Sequence, residues 1–169
     1  YESLQLSPQT HSLIRFPELT LRFSNDFNEF DDQIREAFPN QAPAWQKLVT
    51  AIKEFDEVNL KNTYQSAKDT VRTFIKDELL VEMIFSPLMI YGSAWEDDMD
   101  WSQFVIMFKS IYLEGLARPE NGVRTIIDLL TKKIQELGIE LRYACEVKKI
   151  TQHNGAVTSL TLQDRKLGE

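Results

Sequence analysis

The residues best suited to chemistry are a short acidic run, one cysteine and two histidines. Four of the five residues from Glu96 to Asp100 carry carboxylates, and carboxylate oxygens are the ligands that hard cations such as Ca²⁺ prefer. The run lacks the glycine and the alternating ligand spacing of a calcium loop, so the sequence favours a solvated turn. Cys145 has no evident cation beside it, which predicts a buried, inert thiol. His11 and His153 are expected to be exposed side chains rather than bases or metal ligands.

The rest of the sequence adds no catalytic motif. It contains no Gly-x-Gly-x-x-Gly turn, no phosphate loop and no Gly-x-Ser-x-Gly nucleophile motif. No spacing of ionisable residues suggests a general acid and a general base that face one substrate. Judged from its residues alone, the chain has no self-sufficient catalytic site.

The composition is that of an ordinary globular protein and excludes several classes of partner. The 169 residues are 43% hydrophobic and 27% charged, with a formal net charge of -7. Nucleic-acid binding is not expected, because it needs clustered lysine and arginine. No apolar run reaches membrane-spanning length, and the N-terminus lacks the build of a signal peptide. The single cysteine fits a reducing compartment, so the expected location is the cytoplasm.

Helical periodicity dominates the first two thirds of the chain, after a polar lead-in over residues 1–12 that is expected to have little structure. Asp26 and Glu29 form an aspartate variant of the capping box, and Pro39 should end the helix that follows. The predicted elements are strands at residues 13–16 and 19–23, and helices from Phe27 to Phe38, from Trp45 to Phe55, from Ser66 to a break or kink at Ser86-Pro87, and from Trp101 to Tyr112.

The last third predicts a helix, a strand and a hairpin in succession. Asn121 can cap the helix, and Gly138 supplies the left-handed residue that ends it. Residues 139–143 alternate between apolar and charged side chains, as a half-buried strand does. Asn154-Gly155 predicts a hairpin turn, because both residues accept the positive φ that such a turn requires. The sequence around that turn therefore predicts two further strands, over residues 146–150 and 156–162.

This order of elements predicts the α+β class, since there is no regular alternation of strands and helices. A boundary is expected near residues 115–119, where aromatic-rich helices give way to β-branched strands. The predicted domains are residues 1–114, which are mainly helical with a small sheet, and residues 115–169, which hold the helix and the hairpin.

Two stretches resemble flavin-dependent phytoene-desaturase-like oxidoreductases, a group that includes carotenoid desaturases and isomerases and is related to the flavin amine oxidases. The first is Ser66 to Gly92, with Phe74-Ile-Lys-Asp77, Leu79-Leu80 and the terminal Tyr91-Gly92. The second is Gly115-Leu-Ala-Arg-Pro119-Glu-Asn-Gly122, followed by the helix, by Gly138-Ile-Glu-Leu and by Glu146-Val147-Lys-Lys-Ile150. The early segment from Leu13 to Pro39 also resembles the substrate-domain hairpin of this family and the helix after it.

The resemblance implies that residues 1–114 are the substrate-side cap of an oxidoreductase, and that residues 115–169 lead back into its FAD-binding domain. It implies that the backbone N–H and C=O of Val147 contact the adenine of FAD; the competing interpretation of Val147 is ordinary sheet core. The substrate would be apolar, either carotenoid-like or an amine. The residues expected to line its cavity are Phe74, Met83, Phe85, Met89, Tyr91, Phe104 and Phe108.

The sequence departs from the family pattern in three places. Asn121 stands where the family has the first glycine of its turn. The N-terminal dinucleotide-binding fingerprint and the C-terminal flavin-contacting motif are both missing. The chain is therefore expected to be an internal fragment that is itself inactive, with FAD bound by the parent protein and no cofactor by this chain alone. Its expected partners are the apolar small-molecule substrate, the remainder of the parent flavoprotein and, peripherally, a membrane.

A second hypothesis is a non-catalytic α+β module that binds a ligand, a lipid or another protein. Residues 79–91 are apolar enough to lie against a membrane surface, but they lack a basic flank and are also typical of core. The aromatic side chains between Phe74 and Tyr112 leave a similar choice between a cavity and plain core.

Overall fold

The computed structural model describes residues 4–91 and 95–164, and the chain divides into two compact units, Tyr1–Glu120 and Asn121–Glu169. The class is α+β, as predicted, with α-helices and small antiparallel sheets of two strands each. Gly92, the last residue of the first resembling stretch, lies outside the described residues. Nowhere in the described ranges does a helix have the length and apolar character needed to cross a bilayer.

The strands of unit 1 form two short ribbons. β2 (Ser12–Arg15) pairs with β3 (Thr20–Phe23), which confirms the predicted hairpin. β1 (Leu6–Pro8) pairs with β4 (Ala117–Pro119), so the prediction of an unstructured lead-in was wrong. Because β4 pairs with β1, the division between the units falls after Glu120. The assignment of the two units to a substrate-side and an FAD-binding domain stays a prediction.

The first helix, α1 (Phe27–Ala37), begins at the predicted cap. A carboxylate oxygen of Asp26 accepts a hydrogen bond from the backbone N–H of Asn28 at 3.0 Å. The reciprocal bond of the capping box runs through Ser24, whose hydroxyl accepts from the N–H of Asp26 and donates to the carboxylate of Glu29. The helix ends before Pro39, as predicted. α2 (Ala42–Glu54) follows and confirms the second predicted helix.

The predicted helix from Ser66 is two helices, α3 (Ala67–Phe74) and α4 (Glu78–Ile90). Asp77 separates them, because its carboxylate accepts from the N–H of Leu80 at 3.2 Å and so caps α4. Of the predicted break or kink at Ser86-Pro87, the break was wrong, since α4 continues to Ile90. Pro87 has no N–H for the carbonyl of Met83, four residues before it. The hydroxyl of Tyr112 donates to the next carbonyl, that of Ile84, at 3.0 Å.

Buried aromatic rings from several elements form the centre of the unit 1 core. Phe30 stacks on Tyr112 with ring centroids 4.6 Å apart, and Trp45 packs edge-on against Phe30. The indole N–H of Trp45 donates to Asp31 at 2.7 Å, so its one polar group is satisfied. Burial raises the pKa of the Tyr112 hydroxyl, which keeps it a hydrogen-bond donor.

α5 (Trp101–Phe108) continues as a π-helical segment, Lys109–Glu114, and the chain then turns at Gly115. The ammonium group of Lys109 donates to the carboxylate of Glu57 at 2.6 Å, and this bond lowers the pKa of that carboxyl. After Gly115, the side-chain amide of Asn25 donates to the carbonyl of Leu116 and accepts from its N–H, at 3.1 and 3.0 Å. These two bonds connect the residues that follow the π-helical segment to the residues that precede α1.

In unit 2, the helix α6 (Arg124–Glu136) begins later than predicted. Its N-cap position is Val123 without a side-chain hydrogen bond, so the predicted cap by Asn121 was wrong. The C-terminus follows the prediction, because Gly138 adopts φ +68°. The N–H of Gly138 donates to Gln135 and that of Ile139 to Ile134, which is the Schellman arrangement.

The hairpin of unit 2 is confirmed and is longer than predicted. β5 (Cys145–His153) pairs with β6 (Ala156–Asp164), and the turn residues Asn154 and Gly155 both have positive φ. The predicted strand over residues 139–143 was wrong as a paired element, since in the described part of the chain it belongs to no sheet. A half-buried strand needs a neighbouring strand to pair with, and no sheet among the described residues provides one.

Candidate functional site

The seven residues expected to line a substrate cavity lie mainly in the core of unit 1. Met83, Phe85, Phe104 and Phe108 are buried, and the rings of Phe85 and Phe104 stack at 4.8 Å. Phe74 and Met89 are half-buried and pack against the core. Tyr91 differs from the other six because its side chain is 59% exposed. Six of the seven thus contribute to one packed core, and their role in lining a cavity of the parent protein stays a prediction.

Tyr91 borders a small cavity of about 210 Å³ between β2 and the end of α4. Its walls are largely apolar, and Arg15 supplies the charged group. Ligand pockets usually enclose about 300–1,000 Å³, so this cavity has room for a short apolar group only. The lining residues are Ser12, Leu13, Ile14, Arg15, Phe23, Ser86, Pro87, Ile90 and Tyr91.

A larger, open cleft of about 500 Å³ lies along the ribbon of β1 and β4, which the sequence did not predict. Gln9 and Arg118 are among its lining residues. The side-chain nitrogen of Gln9 has no hydrogen-bond partner, but it is shielded from solvent and so does not open into the cleft. Its oxygen accepts from the hydroxyl of Ser12 at 2.9 Å. The side-chain nitrogen of Gln9 is therefore not among the polar groups that the cleft offers, which come from Ser7, Thr10 and Arg118.

Two carboxylates of the acidic run act as helix caps, so the predicted solvated turn is correct for only part of the run. Asp98 accepts from the hydroxyl of Ser66 at 2.6 Å and from the backbone N–H groups of Lys68 and Met99. Asp100 accepts from the N–H of Ser102 and so caps α5. Oxygens already used in this way are poorly placed to surround a cation. Among the described residues, no group of three potential ligands could hold a metal ion.

Replacing Asp98 with alanine is expected to destabilise unit 1 by about 2–3 kcal/mol, because three donors at the start of α3 and α5 would lose their acceptor. The measurement is the free energy of unfolding in urea, followed by tryptophan fluorescence. Asp97→Ala is the matched control, since Asp97 is exposed in the same loop, and we expect a change below about 0.5 kcal/mol. Equal effects of the two substitutions would contradict the capping role.

The cysteine and the two histidines lie in β5 and in the segment after β1. Cys145 is at the start of β5, forms no disulfide, and is half-buried rather than fully buried as predicted. His11 and His153 are exposed, as predicted, in the segment after β1 and at the end of β5. His11 belongs to unit 1, whereas His153 and Cys145 are at opposite ends of β5 in unit 2.

Val147 lies on β5 opposite Leu162, immediately before a bulge in the ladder. Lys148 is the extra residue, because the next paired residue is Lys149. A bulge disrupts the regular ladder and leaves backbone groups locally unpaired. Val147 itself keeps Leu162 as its partner in the ladder, and the predicted contact of its backbone with adenine stays a prediction. Its side chain is exposed, so the competing prediction, ordinary sheet core, does not describe Val147 in this structure.

The part of unit 2 that the structure describes has no buried core. Every described residue of the unit is exposed or half-buried, including the apolar stripe of α6 and the apolar side chains of the hairpin.

Comparison of the chain with models of known protein families gives no match, and comparison with curated proteins gives none either.

Proposed function

We propose that this chain is part of an FAD-dependent oxidoreductase that acts on an apolar, carotenoid-like or amine substrate. Unit 1 would form the substrate-side cap, and unit 2 would join the FAD-binding domain of the parent protein. The resemblance of the two quoted stretches suggests the family. The structural observation that supports the proposal is that unit 2 has helix, turn and hairpin as expected, but no buried residue in its described part. The single cysteine favours the cytoplasm as the location.

The residues of this chain fit only one edge of the cofactor. The bulge beside Val147 supports a backbone contact with adenine in this region, because the extra residue, Lys148, has no partner in the ladder. A pyrophosphate needs a glycine-rich turn at a helix N-terminus, and the sequence contains no such turn. When bound in the parent protein, flavin would supply the redox chemistry. The aromatic helices α4 and α5 would hold an apolar substrate and exclude water, and this chain alone should not retain FAD.

Reconstitution tests the proposal. The natural polypeptide that contains this chain is incubated with FAD and desalted, and the retained flavin absorbance is measured. We expect retention by that polypeptide and none by this chain alone. The absence of flavin from the natural polypeptide would refute the proposal.

A pair of substitutions at Val147 tests the adenine contact in the same experiment. Val147→Ala keeps the backbone and should leave flavin retention nearly unchanged, whereas Val147→Pro removes the N–H and should reduce it. A thermal unfolding curve of each variant identifies loss of flavin that results from misfolding. Equal retention by two folded variants would exclude a contact through this N–H.

The alternative is a non-catalytic module that docks on lipid or protein through the end of α4. Its support is the exposure of Ile90 and Tyr91 beside the small cavity. The rest of the helix argues against it, because the side chains that would enter a membrane are already buried in the core: Leu80, Val81, Met83, Ile84, Phe85 and Leu88. Flotation of this chain with liposomes is the test, and salt-independent binding would favour the alternative.

A further inference from the structure

The apolar side chains of the hairpin lie together on one of its faces. The alignment of the strands places Val147 opposite Leu162 and Ile150 opposite Leu160, and directly opposed residues share a face. The spacing of three between Val147 and Ile150 would place them on opposite faces of a regular strand. Because the bulge at Lys148 inserts one extra residue, Val147 and Ile150 lie on the same face. A second register shift places Val157 opposite Gln152, on that same face. Two irregularities thus produce one continuous apolar face, whose five side chains are 40–65% exposed.

Residues 139–143, the extended segment, carry a second set of exposed apolar side chains. The guanidinium of Arg142 is 2.7 Å from the carboxylate of Glu140, as expected for side chains two residues apart on one side of an extended chain. Ile139 and Leu141 alternate with these two residues, and Tyr143 lies at the bend where the segment ends. The three apolar side chains are 43–73% exposed. The segment thus has the two-faced character of a strand and, in the part of the chain that the structure describes, belongs to no sheet.

The helix α6 contributes a third face. Five of its apolar stripe residues are 37–68% exposed: Val123, Ile126, Ile127, Leu130 and Leu137. Together with the hairpin and the extended segment, thirteen apolar side chains are exposed in one small unit. A stable protein interface covers roughly 800 Å² on each partner, and the area that these side chains expose is of that order.

The hydrogen bonds that the backbone of the extended segment needs limit which partner can cover these faces. Once Ile139, Leu141 and Tyr143 are buried, the N–H and C=O groups of the segment also leave water and need hydrogen-bond partners. A lipid surface or a helix offers no row of donors and acceptors at the spacing of a strand. The edge of a β-sheet offers such a row. A second copy of the chain would bring its own three uncovered faces with it.

We infer that unit 2 is completed by a β-sheet from outside residues 1–169, to whose edge residues 139–143 add as a strand while α6 and the hairpin pack on its apolar surface. This inference rests on the proposed function only for the source of the sheet, which is the parent protein. It specifies that the partner has a free strand edge and an apolar face.

Residue-level hydrogen exchange on this chain and on the natural polypeptide that contains it is the test. The amide of Ile139 already donates to Ile134, so the readout is the amides of residues 140–143. We expect these amides to exchange rapidly in this chain, and to be protected about 100-fold or more in the longer polypeptide. In the longer polypeptide, Leu141→Asp should abolish this protection. Glu140→Gln, on the charged side of the same segment, should preserve it.

Each other occupant predicts a different result. Protection of α6 in the longer polypeptide without protection of residues 140–143 would overturn the inference. Protection in this chain that rises with its concentration would identify a second copy, and protection on addition of phosphatidylcholine–phosphatidylserine vesicles would identify a lipid surface. Retained flavin is measured separately, so protection without flavin would refute the proposed function while supporting the sheet partner.

Discussion

Substitution of Gly115 by alanine is expected to lower the free energy of unfolding of unit 1 by roughly 3 kcal/mol or more. Gly115 has φ +83° and ψ 178°, a conformation that is strained for any residue with a Cβ atom. An added Cβ would also clash with the side-chain amide of Asn25, the closest atoms being its Cγ and Oδ1. That amide cannot move without breaking its two hydrogen bonds to Leu116. The measurement is urea unfolding followed by tryptophan fluorescence, because Trp45 and Trp101 are buried in unit 1.

Gly138→Ala is the matched control for this effect. Gly138 also has positive φ, but no heavy atom would lie within 4 Å of its added Cβ. It belongs to unit 2, so the tryptophan transition of unit 1 should be unchanged. In an Asn25→Gly background, Gly115→Ala should cost less than in the native chain, because all three of the Asn25 side-chain atoms that the added Cβ would clash with are gone. The same cost in both backgrounds would show that backbone strain alone is responsible.

The features that could be predicted from the sequence depend on neighbouring residues. The cap by Asp26, the left-handed Gly138 and the turn at Asn154-Gly155 each need only a side chain or backbone conformation within a few positions. All three are present in the structure. The α+β class followed from them, because the class depends on which elements exist and not on how they pack.

The wrong predictions concern elements whose structure depends on contacts with distant residues, or on competing signals within one stretch of sequence. The acidic run was predicted to be a solvated turn, but Asp98 accepts from Ser66, which is 32 residues away along the chain. The lead-in became a strand because β4 lies beside it. The interruption before α4 came from Asp77, whose preference for a cap outweighed the apolar periodicity on either side.

For the candidate site, the sequence predicted the helices and the strand that carry its residues, but not how those residues pack. The periodicity of α4 and α5 placed aromatic side chains on the inner side of each helix, but the same pattern serves a packed core and a cavity wall. Only tertiary packing distinguishes them, and in the structure the ring of Phe104 contacts those of Phe85 and Phe108. For Val147, the strand could be predicted, but the bulge beside it could not, since the surrounding sequence contains no glycine or proline that would mark it.

Phe108→Ala is expected to destabilise unit 1 by about 4 kcal/mol, one of the largest effects available in the chain. The ring is fully buried, and it contacts Tyr112, Phe104, Trp45 and Phe27 with centroid distances of 5.0, 5.8, 5.9 and 6.3 Å. Its removal leaves a void that these rings cannot fill without leaving their own positions. The unfolding free energy in urea measures the effect. Phe108→Leu should cost less than half as much, because most of the volume remains.

Tyr91→Ala is the control for Phe108→Ala, and the comparison bears directly on substrate binding. Tyr91 borders a cavity and is largely exposed, so its truncation should cost below about 1 kcal/mol. A side chain that lines an open cavity has few packing partners, and its removal therefore affects stability little. If Phe108→Ala costs as little as Tyr91→Ala, the ring cluster is loosely packed and can open to admit an apolar molecule. If it costs about 4 kcal/mol, Phe108 is core in this chain, and a substrate cavity in the parent protein would require these rings to separate.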